Sequence, residues 1–469
     1  MERMVFNSAN AHVVRFGDRA MLLHVPTTAL FELDELGQSV ISRAAAGEEL
    51  ELGSLQGEVA EFVGQLKDLE ILQVRGQERA LNPGRVKVDA YPLSTLVLNV
   101  NTGCNLSCSY CYKEDLQTPA RGQRMDFSIA SGSVDLLLSQ AEARDSVSIV
   151  FFGGEPLTNM PLIRQVVDYA ERRGEEAGKH VEFSLTTNAT LLTPELIDFF
   201  GAHRFGISIS MDGPKVIHDR NRRTVGGKGT YDVVVKKARL LLERYRAKPV
   251  GARVTLTAGT TEIEAIHAHL RGELGFHEVG YAPVTSSNNA GYALSAHELT
   301  EVHAGFERLG GNYLDCALRG ENNGFSNMHQ LMTDLHEGRR KSLPCGAGVG
   351  LLAVDREGGL NLCHRFTGSE LPVFGHVERG IDGERLSEFL GKAADRTGTH
   401  CASCRIRNLC AGGCYHEAYA RFGDPLHRTY HYCDLLRRWV DFGIGVYAQL
   451  MTGNPAFFRR HIETRRAQA

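Results

Sequence analysis

The chain has 469 residues, 42% of them hydrophobic and 23% charged, with a formal net charge of −4. That balance is ordinary for a soluble globular protein of roughly two to four domains, and it supplies no strong positive field for nucleic acid. No apolar run approaches the ~20 residues of a membrane span, and Met1–Phe6 shows no secretory signal, so no membrane partner and a cytoplasmic location are expected.

Residues 1–85 read as a small separate unit. His12–Phe16 and Ala20–His24 flank Gly17-Asp18, the pattern of a hairpin. Phe31, Leu33, Leu36, Val40 and Ile41 then have helix-like spacing. Val59, Phe62, Val63, Leu66 and Leu69 mark one face of a second helix, and Ile71–Val74 a short strand. A hairpin followed by helices resembles the winged-helix-like peptide-recognition element fused to many peptide-modifying radical enzymes. Such a unit holds an extended leader peptide against a sheet edge; a plain packing domain is the alternative. Arg79–Tyr91, with Pro83-Gly84, reads as a linker.

Thr95–Val100 reads as a buried strand, and soon after it stands Cys104-Asn-Leu-Ser-Cys108-Ser-Tyr-Cys111. The chain has eleven cysteines, and in a cytosolic-looking protein they suggest metal or redox work rather than disulfides. Three thiolates at this spacing can hold three irons of a [4Fe–4S] cluster and leave one iron without a protein ligand. An open metal position is where chemistry can happen; a zinc loop is the plain alternative. The spacing, with Tyr110 at the aromatic position, resembles the signature of the radical S-adenosylmethionine (SAM) family.

Five more apolar runs follow: Val147–Phe152, Val181–Thr187, Phe205–Met211, Ala252–Ala258 and Glu278–Pro283. Helical patterns such as Ile129–Ala141, Leu162–Arg172 and Tyr231–Tyr245 lie between them. The alternation argues for parallel β/α units and an α/β fold. Six units fit a partial (β/α)6 TIM-like barrel, the core that the resemblance implies, over residues 92–330. Active sites of β/α barrels lie at the C-terminal strand ends. Gly153-Gly154-Glu155-Pro156 follows the second strand, where glycines let backbone approach a ligand. The resemblance implies that this turn holds the SAM amino group. Thr187-Asn188 ends the third strand. Ser208, Ser210 and Asp212 alternate at the end of the fourth, so all three can point into the barrel. His218-Asp-Arg-Asn-Arg222 resembles the family's His-Asp-x-x-Arg stretch, whose arginine binds the SAM carboxylate; Arg222 is the matching position, and a guanidinium takes a carboxylate as a bidentate pair. Gly280-Tyr281 either faces the adenine or packs in the core. Residues 295–340 look helical and linking. Their stripe of Leu299, Val302, His303, Phe306 and Leu309 reads as core, as does Cys316.

Over 340–435, Gly350–Val354, the turn Asp355–Gly359 and Leu360–His364 read as a hairpin with Cys345 and Cys363 at its ends. Cys401-x2-Cys404-x5-Cys410-x3-Cys414 follows, then Cys433 after 18 more residues. These seven thiolates resemble the SPASM iron–sulfur extension of radical SAM enzymes; zinc is the alternative for the 401–414 group. The resemblance implies that Cys401, Cys404, Cys410 and Cys433 cage a distal auxiliary cluster, while Cys345, Cys363 and Cys414 hold a proximal one. With the SAM-binding cluster that makes three [4Fe–4S] clusters. Gly346–Gly350 stands where many members carry another cysteine, so either the proximal cluster has an open iron or a non-cysteine or distant residue completes it; His364 is a weak candidate. Over 436–469, Leu435–Met451 with the single Trp439 reads as a packing helix, and Arg459, Arg460, Arg465 and Arg466 as a solvated basic end.

Val25–Asp34, Phe151–Thr158 and the gapped cysteine set together resemble the maturation enzymes of quinohemoprotein amine dehydrogenase. That resemblance implies generation of a 5′-deoxyadenosyl radical. It further implies thioether links between Cys sulfur and the methylene carbon of Asp or Glu within the dehydrogenase's small γ subunit. The auxiliary clusters would accept the electron released on bond closure or bind a substrate thiolate. Asp395 is the candidate base, and a flavodoxin or ferredoxin the expected electron donor. Two other readings stand: another peptide maturase (a Cα-thioether former or an anaerobic sulfatase activator), and a non-catalytic iron–sulfur scaffold that binds a peptide.

Overall fold

The computed structural model describes residues 2–81, 93–112, 122–141, 144–285, 291–428 and 431–463. Most of the expected 79–91 linker, and Arg465 and Arg466, lie outside them. The chain begins with β1 (Arg3–Phe6), β2 (Ala11–Phe16), β3 (Arg19–His24) and β4 (Ala29–Leu33). The β2–β3 hairpin turns at Gly17-Asp18 as expected, with Gly17 at a φ of 59° that favours glycine. Phe31 and Leu33 depart from expectation: they belong to β4, paired with β3. The helix α1 (Glu35–Ala45) starts only after Asp34, whose carboxylate accepts from Gly37 N at 2.7 Å. A capping aspartate sets that boundary more sharply than the apolar spacing does. β5 (Leu50–Glu51), α2 (Gly57–Asp68) and β6 (Leu72–Val74) follow, and β1 pairs between β5 and β6.

Every second residue of β3 points to the same face. Ala20 and Leu22 join Met4, Ile41 and Val63 in a small core, whereas Met21 and Leu23 belong to the main core of the molecule. The N-terminal segment therefore has a small core of its own and also feeds side chains into the main one. Its middle sheet is a layer shared by two cores.

The central sheet carries six adjacent parallel strands in chain order. They are β7 (Thr95–Asn99), β8 (Ser146–Phe152), β9 (His180–Thr187), β10 (Gly206–Ser210), β11 (Val250–Leu256) and β12 (Glu278–Pro283). Helices fill the crossovers: α3 (Phe127–Gln140), α4 (Met160–Glu176), α5 (Pro194–Ala202), α6 (Lys215–Asn221), α7 (Tyr231–Arg244) and α8 (Ile263–His267). Burial alternates along these strands. Phe183, Leu185, Ile207 and Ile209 are buried, while Ser184, Thr186, Ser208 and Ser210 are only half-buried. Each buried apolar side chain contributes roughly 1.5–3 kcal/mol. Phe151, Phe183 and Phe205 stack with ring centroids 5.4–6.2 Å apart. This is the expected partial (β/α)6 barrel.

α9 (Ala296–Leu318) opens with a reciprocal Ser295–Glu298 capping box, and α10 (Ser326–His336) follows. β13 (Leu351–Val354) then lies parallel to β7, and β14 (Leu360–Asn361) returns antiparallel to it, giving the expected hairpin. The 340–435 segment thus extends the barrel sheet. β15 (Gly375–His376), β16 (Gly380–Ile381), α11 (Gly383–Ala394), α12 (Arg407–Cys410) and α13 (Tyr415–Phe422) complete it. α14 (Cys433–Gly453) packs on α9, α10, β2 and β3, with Trp439 against Phe306, Phe325 and Phe442. His303 is core, packed on Phe306 and Tyr432. Cys316 is not: it is half-buried on α9, 3.4 Å from Arg319 Nη2. No described helix is long and apolar enough to cross a membrane.

Candidate active site and cysteine centres

A cavity of about 450 Å³ opens at the C-terminal ends of the barrel strands. Cys104, Cys108 and Cys111 line it together with Gly153, Gly154 and Glu155 from the turn after β8. The two glycines are needed because backbone meets backbone. A Cβ on Gly153 would collide with Asn101, and one on Gly154 with the carbonyl of Gly103. Gly154 N donates to Asn101 O (3.2 Å) and Glu155 N to Gly103 O (3.1 Å). The close approach expected for a ligand is thus made by the cysteine loop itself.

Two buried carboxylates frame that loop. Glu155 accepts from Thr187 Oγ1 (2.6 Å), Asn188 N (2.7 Å) and Leu157 N (3.1 Å). Burial pushes its carboxyl up to about 7, against the pull of those donors. Asp212 accepts from Tyr110 Oη (2.7 Å), Thr255 N (3.0 Å) and both arms of the Arg222 fork (2.9 and 3.1 Å). Burial raises the thiols of Cys104 to about 12 and Cys108 to about 11; Arg222 acts the other way on Cys108. A metal centre here binds by displacing those protons.

This arrangement can be set beside known proteins. Residues 98–269 match the model of the Radical SAM superfamily. They form a radical SAM domain. The cysteine-type anaerobic sulfatase-maturating enzyme of Clostridium perfringens is 30% identical over 161 residues, 34% of this chain and 42% of that protein. This chain therefore spans less than half the length of that curated relative in the match. The radical SAM cyclopropyl synthase TigE of Paramaledivibacter caminithermalis is 21% identical over 365 residues, 74% of this chain and 72% of TigE. Among solved structures, native anSMEcpe with bound AdoMet superposes with a TM-score of 0.66 at 21% identity, covering 77% of this chain and all of that one. Streptococcus suis SuiB bound to precursor peptide SuiA superposes at 0.54 and 16% identity, covering 92% of this chain and 99% of SuiB. These likenesses bear out the barrel fold.

Within the radical SAM domain, Tyr110, Asn188, Ser210 and Arg222 also line the cavity. Thr187, Asp212 and Pro156 are buried beside it and act on its walls rather than in it; Ser208, two residues before Ser210, is not among the lining residues. Arg222 lines the cavity with its Nε and Nη2 paired to Asp212. Asp395 lies apart from it. It is exposed at the C-cap of α11, accepts from Thr397 N at 2.9 Å, and does not line the cavity. Sequence reasoning missed Asn101, Thr186, Arg253, Tyr112 and Arg365. Only Tyr112 carried a signal, an aromatic directly after Cys111. Its ring lies 4.8 Å from the Arg365 guanidinium and 5.5 Å from the His416 ring, and its buried hydroxyl is within the field of Cys111, Cys363 and Cys414. It thereby bridges the barrel loop and the C-terminal cysteines.

Those cysteines lie in two groups. Cys401, Cys404, Cys410 and Cys433 line one cavity of about 250 Å³. Cys345, Cys363 and Cys414 act electrostatically on one another. Among the described residues no three His, Cys, Asp or Glu side chains converge on a single-ion site. Thiols grouped round a cavity suit a polynuclear centre better than one zinc, whose ligands must meet at about 2.3 Å. The surroundings suit an anion. Nε of Arg396, Arg405 and Arg407 and the hydroxyl of Tyr415 are buried without a hydrogen-bond partner, and Arg437 hydrogen-bonds Cys404. Tyr415 lies within the field of Cys345 and Cys414. His364 packs on Phe152 at 4.3 Å and lines the barrel cavity.

Proposed function

We propose that the chain is a SAM-dependent peptide-modifying enzyme that forms thioether links in the small γ subunit of quinohemoprotein amine dehydrogenase. The observation that carries this reading is the single cavity shared by the Cys104–Cys111 loop, Glu155, Asn188 and Ser210, with Tyr112 joining it to a second thiol group. When bound, a [4Fe–4S] cluster and SAM supply a 5′-deoxyadenosyl radical that removes a hydrogen atom from an unactivated carbon. Cys104, Cys108 and Cys111 would hold that cluster. Ser210 and Thr186 offer hydroxyls to a ribose or carboxylate. Arg222, already paired, fixes Asp212 and Tyr110 and keeps a positive charge at the wall. Cys401, Cys404, Cys410 and Cys433 would hold one auxiliary cluster, and Cys345, Cys363 and Cys414 a second, with Tyr415 a candidate to complete it.

A peptide substrate is supported by the relatives: SuiB was solved with its precursor peptide, and the Clostridium protein is named for sulfatase maturation. The N-terminal segment offers a place for a leader. A groove of about 640 Å³ runs between Ala11–Val13 of β2, Ile41 and Ala45 of α1, and residues His400 to Arg405.

Each link takes one hydrogen from Cys sulfur and one from the methylene carbon. Mass spectrometry of a co-expressed γ-subunit peptide should therefore show a loss of two hydrogens per link, placed on Asp or Glu side chains. The 30% identity to a sulfatase-maturating enzyme favours a second reading, oxidation of one Cys or Ser to formylglycine. Formylglycine, or a link at Cα, would overturn the first. Reduced anaerobic protein that never releases 5′-deoxyadenosine from SAM would overturn both.

A further inference from the structure

The barrel cavity contains a guanidinium that the proposed chemistry does not use. Arg253 stands on β11, in register with Ser210 of β10 and Gly280 of β12. Its strand neighbours Ala252 and Val254 are buried in the core, whereas Arg253 is exposed to the cavity. Gly280 makes room for it, since a Cβ there would collide with Nη1 of Arg253. Arg253 makes no side-chain hydrogen bond or ion pair among the described residues. The other charged groups on these walls are engaged. Arg222 is held by Asp212, Glu155 accepts three donors, and Arg365 donates to Thr285 Oγ1 at 2.8 Å.

Arg253 also lines a second cavity, of about 650 Å³, bordered by Glu278, Ser326 and Asn327. None of the Cys104–Cys111 loop lines that second space. Arg253 thus stands at the junction between the cysteine-loop cavity and a space large enough for a peptide. A free planar fork in a recess pairs best with a planar anion, and a carboxylate takes it bidentately. Two carboxylates could reach it, that of SAM and that of a substrate Asp or Glu. The position favours the substrate, because Arg253 borders the space away from the cysteine loop.

We propose that Arg253 binds the carboxylate of an acidic side chain of the peptide substrate and so holds the adjoining methylene toward the cysteine loop. This deepens the proposed function and rests on it.

The test uses the iron-reconstituted full chain with SAM and without reductant. The probes are a fluorescein-labelled synthetic peptide containing one Cys and one Asp, and its Asn counterpart. Fluorescence anisotropy should show Arg253→Gln binding the Asp peptide roughly 10- to 100-fold more weakly, as loss of a charge-assisted pair requires. The Asn peptide should bind native protein and Arg253→Gln alike, and Arg253→Lys should restore part of the Asp preference. SAM affinity, read by equilibrium dialysis, should not change. Equal losses for both peptides, absence of saturable binding of the Asp peptide to native protein, or a matching loss of SAM affinity would each overturn the proposal. The last result would assign Arg253 to the SAM carboxylate. If native protein, reduced anaerobically in a separate assay, releases 5′-deoxyadenosine while Arg253→Gln binds both peptides normally, the carboxylate site falls and the proposed function stands. If that reduced protein releases no 5′-deoxyadenosine, the proposed function falls.

Discussion

Beside Cys104–Cys111 the two buried carboxylates have their acceptors filled, whereas beside Cys401–Cys433 three arginines each keep a buried Nε without an acceptor. Asp212 and Glu155 accept seven hydrogen bonds between them, four and three, from side chains and backbone of the barrel itself. Around the C-terminal thiols, by contrast, Arg396, Arg405 and Arg407 bury Nε groups that find no acceptor. Burial even pulls the Arg407 guanidinium down to about 10. The same guanidiniums are partly engaged, Arg405 by Asp441, Arg396 by Asn408 and the carbonyls of Lys341 and Ser342, and Arg407 by the carbonyls of Ala9 and Leu81; an anionic cluster would take up the donors left over. The contrast is between a loop whose buried carboxylates are satisfied by protein donors and a thiol group whose surroundings leave donors for an anion.

Anaerobic iron chelation should break this symmetry most strongly. Amide exchange over residues 396–428 should lose protection by on the order of 10³-fold while β7–β12 keep theirs. Equal loss in both regions would refute the contrast. Next in size, Asp212→Ala leaves Arg222 buried without its partner. It should cost about 3–5 kcal/mol in urea unfolding of the metal-free protein.

A third test probes the core next to the C-terminal thiols. Burial first, and Arg438 second, lower the His303 imidazole to about 4, so the folded state keeps it neutral. The unfolded chain takes up a proton below about 6.5, so stability present above that pH is lost as pH falls toward 4. The loss is on the order of 3 kcal/mol. His303→Leu should remove that slope, and identical pH profiles for the two proteins would contradict the assignment. The smallest effect belongs to Gly154→Ala, whose methyl meets the carbonyl of Gly103. It should cost about 1–3 kcal/mol, and it should loosen iron in the barrel loop without touching the C-terminal centres.

The six barrel strands were legible because each is an apolar run with helical sequence on either side. The cysteine groupings were legible because thiol spacing is a strong constraint. What escaped were features decided by neighbours distant in sequence. β1 is four residues long, too short for its alternation to stand out. Phe31 and Leu33 satisfy a helical period, yet pairing with β3 overrides it. The pairing of Arg222 with Asp212, ten residues earlier, depends on where the strand end places the carboxylate. Asp395 is near the cysteines in sequence, yet the helix end turns it to solvent. Arg253 looks like an ordinary strand arginine until Gly280 is seen to clear its path.

The two-faced β3 strand limits how this chain can be cut. Met21 and Leu23 pack into the same core as Val440 and Ile444 of α14. Arg407 and Asn408, between the distal thiols, are moored to carbonyls of Ala9, Leu81, Val25 and Pro26. Excising the first eighty residues would therefore strip an apolar flank bare and unmoor the cysteine loop in one stroke. A peptide that settled on the front of the molecule would press on the same scaffold that steadies Cys404 and Cys410.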